Sequence, residues 1–87
     1  MNDHPSHPAM KGIVEQRPSL TPKARILGNY ILKNPRKAVF MTTKELAETC
    51  DVSEATVVRF VSRLGYKRYG AFQQALRDFV DTELTLL

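Results

Sequence analysis

A single cysteine, Cys50, leaves the chain unable to close an internal disulfide and suits a reducing compartment such as the cytoplasm. Its thiol reads as a small buried hydrophobe at a helix end. A redox sensor would need a lowered pKa, and the neighbouring sequence supplies no cause for one. Histidine is almost as scarce. Both copies, His4 and His7, fall within the first nine residues beside Pro5 and Pro8. No Ser, His and acid arrangement can be built from them. Their spacing is that of metal ligands, but no further ligand of the right kind stands nearby, so residues 1–9 read as a disordered tail or an expression remnant. No glycine-rich phosphate loop is present, and no run approaches the ~20 apolar residues that a membrane-spanning helix needs. Catalytic residues, cofactors and metals are therefore not expected, a membrane is not an expected partner, and the chain does not read as an enzyme.

What remains is small, basic and helical in pattern. Eighty-seven residues suffice for one helical core, but not for that core plus a ligand-binding domain. The formal charge of +4 is unevenly spread: +3 over residues 1–35, zero over 36–52, +3 over 53–70 and −2 over 71–87. A basic stretch of this kind is either a solvated helix face or an electrostatic footprint for phosphates. Local pattern decides between the two.

Residues Thr43 to Gly65 read TKELAETCDVSEATVVRFVSRLG, two short amphipathic helices joined by a three-residue break. A turn this short forces the helices to cross steeply, the first bracing the second. That is the layout of a helix-turn-helix, whose second helix enters a major groove. Thr42 and Glu45 form a capping box at the start of the first helix, and Leu46 and Ala47 face inward. Asp51 stands at the sharp turn after Cys50, where glycine is usual, and aspartate is one of the few other residues that tolerate a left-handed conformation. Val52 anchors the turn and Ser53 caps the next helix. On that helix Val57, Phe60, Val61 and Leu64 follow the i, i+3, i+4, i+7 spacing of a buried stripe. Ala55, Arg59 and Ser62 point the other way, flanked by Thr56, Val58 and Arg63. Val58 is open between two readings, a thymine-methyl contact and a place in the core, with the core favoured because buried valines are commoner.

The other elements are plainer. Met10 to Gln16 forms a helical turn before Pro18. Thr21 caps a helix with Pro22 at its first position and Ile26, Leu27, Tyr30 and Ile31 on its apolar side, stopped by Pro35. A short turn spans Arg36 to Phe40, with Val39, Phe40 and Met41 packing inward. Tyr66 to Tyr69 is a basic, aromatic connector. A last helix, Tyr69 to about Leu84, turns Phe72, Ala75, Leu76, Phe79 and either Val80 or Glu83 to the core. No stretch is strand-like for long. The fold class expected is all-α: a compact bundle of about five helices containing a homeodomain-like helix-turn-helix and no wing, over residues 20–87. Residues 1–19 are then a flexible tail with a short helix.

These pieces resemble the N-terminal domain of the RpiR-type transcriptional regulators of bacteria. The resemblance runs from Leu20 to Leu84 and rests on Leu20-Thr21, Tyr30-Ile31-Leu32 with Asn34-Pro35, Met41-Thr42 with Glu45-Leu46-Ala47, Val52-Ser53 with Ala55-Thr56-Val57, Arg59-Phe60, Leu64-Gly65-Tyr66, Tyr69 and Phe72. It departs from the family at Asp51 and at Arg68, where glycine is more usual. It implies a five-helix DNA-binding domain, operator binding as a homo-oligomer, and regulation of sugar or amino-sugar metabolism. It also implies a further domain, resembling sugar isomerases, that binds a phosphorylated sugar and lies outside this chain. Double-stranded DNA is the expected partner, and the expected contacts are Thr42, Thr43, Lys44, Ser53, Glu54, Ala55, Thr56, Arg59, Ser62, Arg63, Lys67, Arg68 and Tyr69. Arg59 is the candidate base reader through its forked donors, unless it pairs with Glu48. Lys44, Arg63, Lys67 and Arg68 are the candidate phosphate contacts. The competing expectation is a helical interaction or oligomerisation module without DNA binding, suggested by the apolar ending Leu84, Leu86 and Leu87.

Overall fold

Six helices and one short 3-10 turn make up the computed structural model, which describes residues 7–86 and side chains as far as Thr82. They are α1 (Pro8–Gln16), the 3-10 turn Arg17–Ser19, α2 (Pro22–Lys33), α3 (Pro35–Ala38), α4 (Thr43–Cys50), α5 (Glu54–Arg63) and α6 (Tyr69–Leu86). No strand occurs among the described residues. The all-α bundle expected from periodicity is present, with one helix more than the expected five and α3 only a single turn.

α1, α2, α4 and α5 each begin at a residue whose side chain caps the helix. The Thr21 hydroxyl accepts the Ala24 amide at 3.2 Å, with Pro22 following at a position whose N–H would have no helical partner. Asn34 closes α2 through its own amide to the Tyr30 carbonyl, and its carbonyl then accepts the Ala38 amide to open α3. His7 caps α1, its Nδ1 accepting the Ala9 amide at 3.3 Å, and its ring meets the Phe79 ring edge-on at 5.2 Å. His4 and the rest of residues 1–6 lie outside the described residues, as do the side chains of Glu83, Leu84, Leu86 and Leu87.

The helix before Pro18 is longer than periodicity suggested, and it belongs to the core. Ala9, Met10 and Ile13 of α1 are fully buried, where the sequence reading had a tail with a short helix. Their partner is a close approach of α1 to α2. A Cβ added at Gly28 would lie 3.2 Å from Ile13 Cγ2 and 3.5 Å from Phe60 Cε1. An alanine there would need the Ile13 side chain to give by a few tenths of an ångström, while Phe60 would stand at ordinary contact distance.

Around that contact the core gathers Leu27 and Ile31 of α2, Leu46 of α4, Val57, Phe60 and Val61 of α5, and Phe72, Leu76, Phe79 and Val80 of α6. Ala75 and Leu64 are partly buried against it. Phe72 is the aromatic hub. Phe60 meets it edge-on at 6.3 Å and Tyr66 at 5.5 Å, while Tyr69 tilts against it at 6.3 Å. Such edge-to-face geometry sets ring hydrogens against a neighbour's π face and adds to the burial energy.

Two apolar residues assigned inward by spacing are outside. Ile26 is 53% exposed, because Ala24, Leu27, Gly28 and Ile31 fill the buried face of α2 and leave Ile26 beyond its edge. Phe40 is 71% exposed, because α3 ends at Ala38 and the chain turns Val39, not Phe40, into the core. The Arg77 guanidinium lies over the Phe40 ring, 5.6 Å from its centroid.

The approach to α4 is fastened to α6 by two side chains. The Tyr69 hydroxyl donates to the Met41 carbonyl at 2.6 Å, and Gln73 Nε2 donates to the carbonyls of Val39 at 2.9 Å and Met41 at 3.2 Å. Burial, with the Glu45 carboxylate nearby, pushes the Tyr69 pKa up to about 12 from its ordinary value near 10. Burial moves Tyr66 and Cys50 in the same direction.

Replacing Phe60 by Ala should cost about 3–5 kcal/mol, a large share of the stability available to so small a domain. A thermal melt close to that of the parent would remove Phe60 from the core. Tyr69→Phe should cost about 0.5–1.5 kcal/mol at neutral pH, since Gln73 still serves the Met41 carbonyl. Because the folded-state pKa lies above the unfolded one, the Tyr69 contribution is complete below about pH 10 and is lost as pH rises towards about 12. Chemical denaturation from pH 8 to 12 should therefore show a shallower alkaline loss in Tyr69→Phe than in the parent.

Candidate nucleic-acid interface

The α4–α5 unit starts and stops on local signals. At the front of α4 the Thr42 amide donates to Glu45 Oε1 at 2.9 Å and the Glu45 amide donates to Thr42 Oγ1 at 3.1 Å, the reciprocal capping box read from the sequence. At its end Asp51 adopts φ 57° and ψ 48°. Its amide donates to the Glu48 carbonyl, and the Val52 amide donates to the Ala47 carbonyl at 2.9 Å. This pair of bonds is the usual closure of a helix through a left-handed residue. The same closure ends α5. There Gly65 has φ 100°, its amide donates to the Ser62 carbonyl, and the Tyr66 amide donates to the Val61 carbonyl at 3.0 Å. Aspartate thus does at the first corner what glycine does at the second, and the departure at Asp51 leaves the turn intact. Arg68 needs no left-handed backbone, since its carbonyl accepts the Ala71 and Phe72 amides that open α6.

α5 has two faces of opposite character. Val57, Phe60 and Val61 are buried and Leu64 partly so, while Ala55, Val58, Arg59 and Ser62 are exposed. Both sets follow i, i+3, i+4, i+7, so they lie on opposite sides of the cylinder. The favoured core placement of Val58 is corrected here. It is 51% exposed, because the inner stripe is already complete without it.

Ser53, Thr56 and Arg59 form a hydrogen-bonded row along the front of this helix. Ser53 Oγ accepts the Thr56 amide at 3.0 Å and lies 3.0 Å from Thr56 Oγ1, to which Arg59 Nη2 donates at 3.5 Å. The Arg59 guanidinium therefore leans towards the start of α5, and no ion pair joins it to Glu48 among the described residues. Thr43 Oγ1 donates to Glu54 Oε1 at 3.3 Å, tying the start of α4 to the start of α5.

The expected site residues therefore divide by what their side chains already do. Ser53, Ala55, Thr56, Arg59 and Ser62 come together along one side of α5. Lys44, Lys67 and Arg68 are exposed, and their side chains make no intramolecular hydrogen bond or ion pair among the described residues. Arg63 is exposed, but its Nη2 donates to the Ser19 carbonyl at 3.3 Å, so it also holds the 3-10 turn against the end of α5. Thr42 is engaged in the capping box, Thr43 and Glu54 with each other, and the Tyr69 hydroxyl points inward to Met41.

Sequence reasoning missed three features. Gln73 holds the segment before α4, and its one signal was a polar residue four positions after Tyr69. Arg25 donates to the Leu20 carbonyl at 3.2 Å, bracing the same turn that Arg63 holds. An open cleft of about 400 Å³ lies between the start of α2 and α5, with Leu20, Thr21 and Ala24 on one wall and Thr56, Arg59, Phe60, Ser62 and Arg63 on the other. Nothing in local spacing announces a cleft formed by segments so far apart in the chain.

No described helix is long and apolar enough to cross a membrane. Buried Cys50 sits at the end of α4 as a small core residue, as its position suggested.

Comparison with known proteins agrees with this geometry. A family model described as a helix-turn-helix domain of the rpiR family matches residues 9–83, which takes in α1 as well as the helix pair. The chain is 39% identical over 57 residues to an uncharacterized HTH-type transcriptional regulator of Caldanaerobacter subterraneus subsp. tengcongensis, covering 66% of this chain and 20% of that protein. It is 36% identical over 52 residues to the uncharacterized HTH-type transcriptional regulator YfhH of Escherichia coli, covering 60% of this chain and 18% of that protein. It is 35% identical over 57 residues to the uncharacterized HTH-type transcriptional regulator YbbH of Bacillus subtilis, covering 66% of this chain and 20% of that protein. The matched stretch spans about a fifth of the length of these relatives. With its capped helix pair, its two-faced α5 and a family match over nearly all the described residues, the chain belongs to the rpiR family of helix-turn-helix domains.

Proposed function

We propose that this domain binds duplex DNA sequence-specifically, with α5 in the major groove, as the DNA-binding part of a bacterial transcriptional regulator acting in the cytoplasm. The observation that carries the reading is the division of α5: its inner stripe is locked into the core while Ala55, Arg59 and Ser62 face solvent beside exposed cations. Small side chains at the front of a helix let it approach base edges, and Arg59 holds a forked donor pair suited to guanine O6 and N7. Lys44, Arg63, Lys67 and Arg68 contact phosphates, which set register without carrying sequence information. Thr42, Thr43, Glu54 and Tyr69 hold the two helices in the geometry that this requires. Acidic Asp78 and Asp81 on α6 suit a helix turned away from the DNA.

Support for regulation as the role comes from the family and from relatives whose names describe transcriptional regulators. A target among sugar or amino-sugar genes, with a phosphorylated sugar sensed by a separate domain, follows from the family resemblance alone. A single helix-turn-helix covers one half-site, so two copies of the regulator on one operator is the economical arrangement.

Arg59→Ala should weaken binding to the selected site by about 1–3 kcal/mol, relax preference at one base pair and leave the melting temperature unchanged. Parent and variant compared on a randomised duplex library at fixed salt provide the check. Equal preferences with a uniform loss of affinity would make Arg59 a phosphate contact. For Lys67→Gln the expected change is a reduction of about one in the log–log salt slope, with the same loss on every sequence. An unchanged slope in a salt titration would remove Lys67 from the interface.

A further inference from the structure

We propose that Val58 reads the 5-methyl group of a pyrimidine in the major groove, a thymine adjacent to the guanine addressed by Arg59. The inference rests on the DNA reading above and extends it to a second specificity-determining residue. Val58 is half exposed on the outward stripe of α5, between Ala55, Arg59 and Ser62. Core packing does not account for it there, since Val57, Phe60 and Val61 complete the buried stripe. The other exposed large hydrophobics, Val14, Ile26 and Phe40, lie on other segments, and Phe40 is shaded by Arg77. Val58 stands alone on a face whose other side chains are polar or a single methyl.

The chemistry of the groove supplies one apolar group, the thymine C5 methyl, beside donors and acceptors that a valine cannot satisfy. A β-branched side chain on a helix is largely held in one rotamer, so its methyls are presented rigidly and little freedom is lost on contact. Consecutive residues 58 and 59 are about 1.5 Å apart along the helix axis and about 100° apart around it, so their side chains diverge across the outward face. Side chains from both, directed outward, reach neighbouring base pairs. Ala55, one turn before Val58, is small enough to leave room for the methyl.

Uracil differs from thymine by that methyl and nothing else, which makes it the probe. The 87-residue chain would first select its site from a randomised duplex library. Each thymine in the recovered site would then be replaced singly by uracil and Kd measured at one salt concentration. At one thymine next to a guanine, uracil should weaken binding about fourfold, the value of burying one methyl-sized group. Val58→Ala should bind the thymine site about fourfold more weakly, bind thymine and uracil equally at that position, and melt like the parent. Parent binding that is indifferent to uracil at every position overturns the methyl contact and leaves the DNA reading standing. A uracil penalty that persists unchanged in Val58→Ala assigns the methyl to another residue and also overturns the proposal. Recovery of no site at any salt concentration sinks the DNA reading, and this inference with it.

Discussion

The burial of one side of α5 is the constraint on which the other features depend. Val57, Phe60 and Val61 are held between α2, α4 and α6, with Phe60 edge-on to Phe72 and within reach of Gly28. A ten-residue helix has little stability of its own in water and takes its order from tertiary contacts. Fixing the inner stripe fixes the rotation of the helix about its axis. That rotation decides which residues face outward, so burial of the Phe60 ring determines where Arg59 points.

Around this anchor the domain spends its polar groups on junctions. Asp51 and Gly65 close α4 and α5 with the same pair of backbone bonds, so both corners of the helix pair are stiff. Thr43 and Glu54 link the two helix starts, and Tyr69 with Gln73 pins the strand of chain that leads into α4. Arg63 and Arg25 hold the carbonyls of the turn before α2. In the DNA-binding role proposed for this surface such bracing is an advantage, because less freedom is lost on docking. The outward row of Ser53, Thr56 and Arg59 is itself hydrogen-bonded, so the arginine is partly oriented by its own helix.

Much of this was legible in the chain because it is set over short distances. The capping box at Thr42 and Glu45, the left-handed Asp51, the Ser53 cap and the stripe on α5 each depend on residues within about one or two helical turns. What failed were assignments of side where spacing permits more than one answer. Ile26, Phe40 and Val58 each sit next to a residue that is buried, and hydrophobicity alone does not say which neighbour the core will take. The place of α1 in the core was likewise hidden, because its partner, Gly28, is recognisable only once the helices are seen to touch.

By itself, then, the sequence determined the helices, their caps, the tight corner between α4 and α5, and the polar and basic residues grouped on the outer side of α5, all through short-range backbone chemistry and hydrophobic period. Tertiary structure alone decided that α1 joins the core, that Tyr69 and Gln73 serve the segment before α4, and that Val58 is on the outward face. These outcomes depend on how much volume the core has left when helices distant in sequence close upon it, and a close-packed interior admits one neighbour and turns the next one out to solvent.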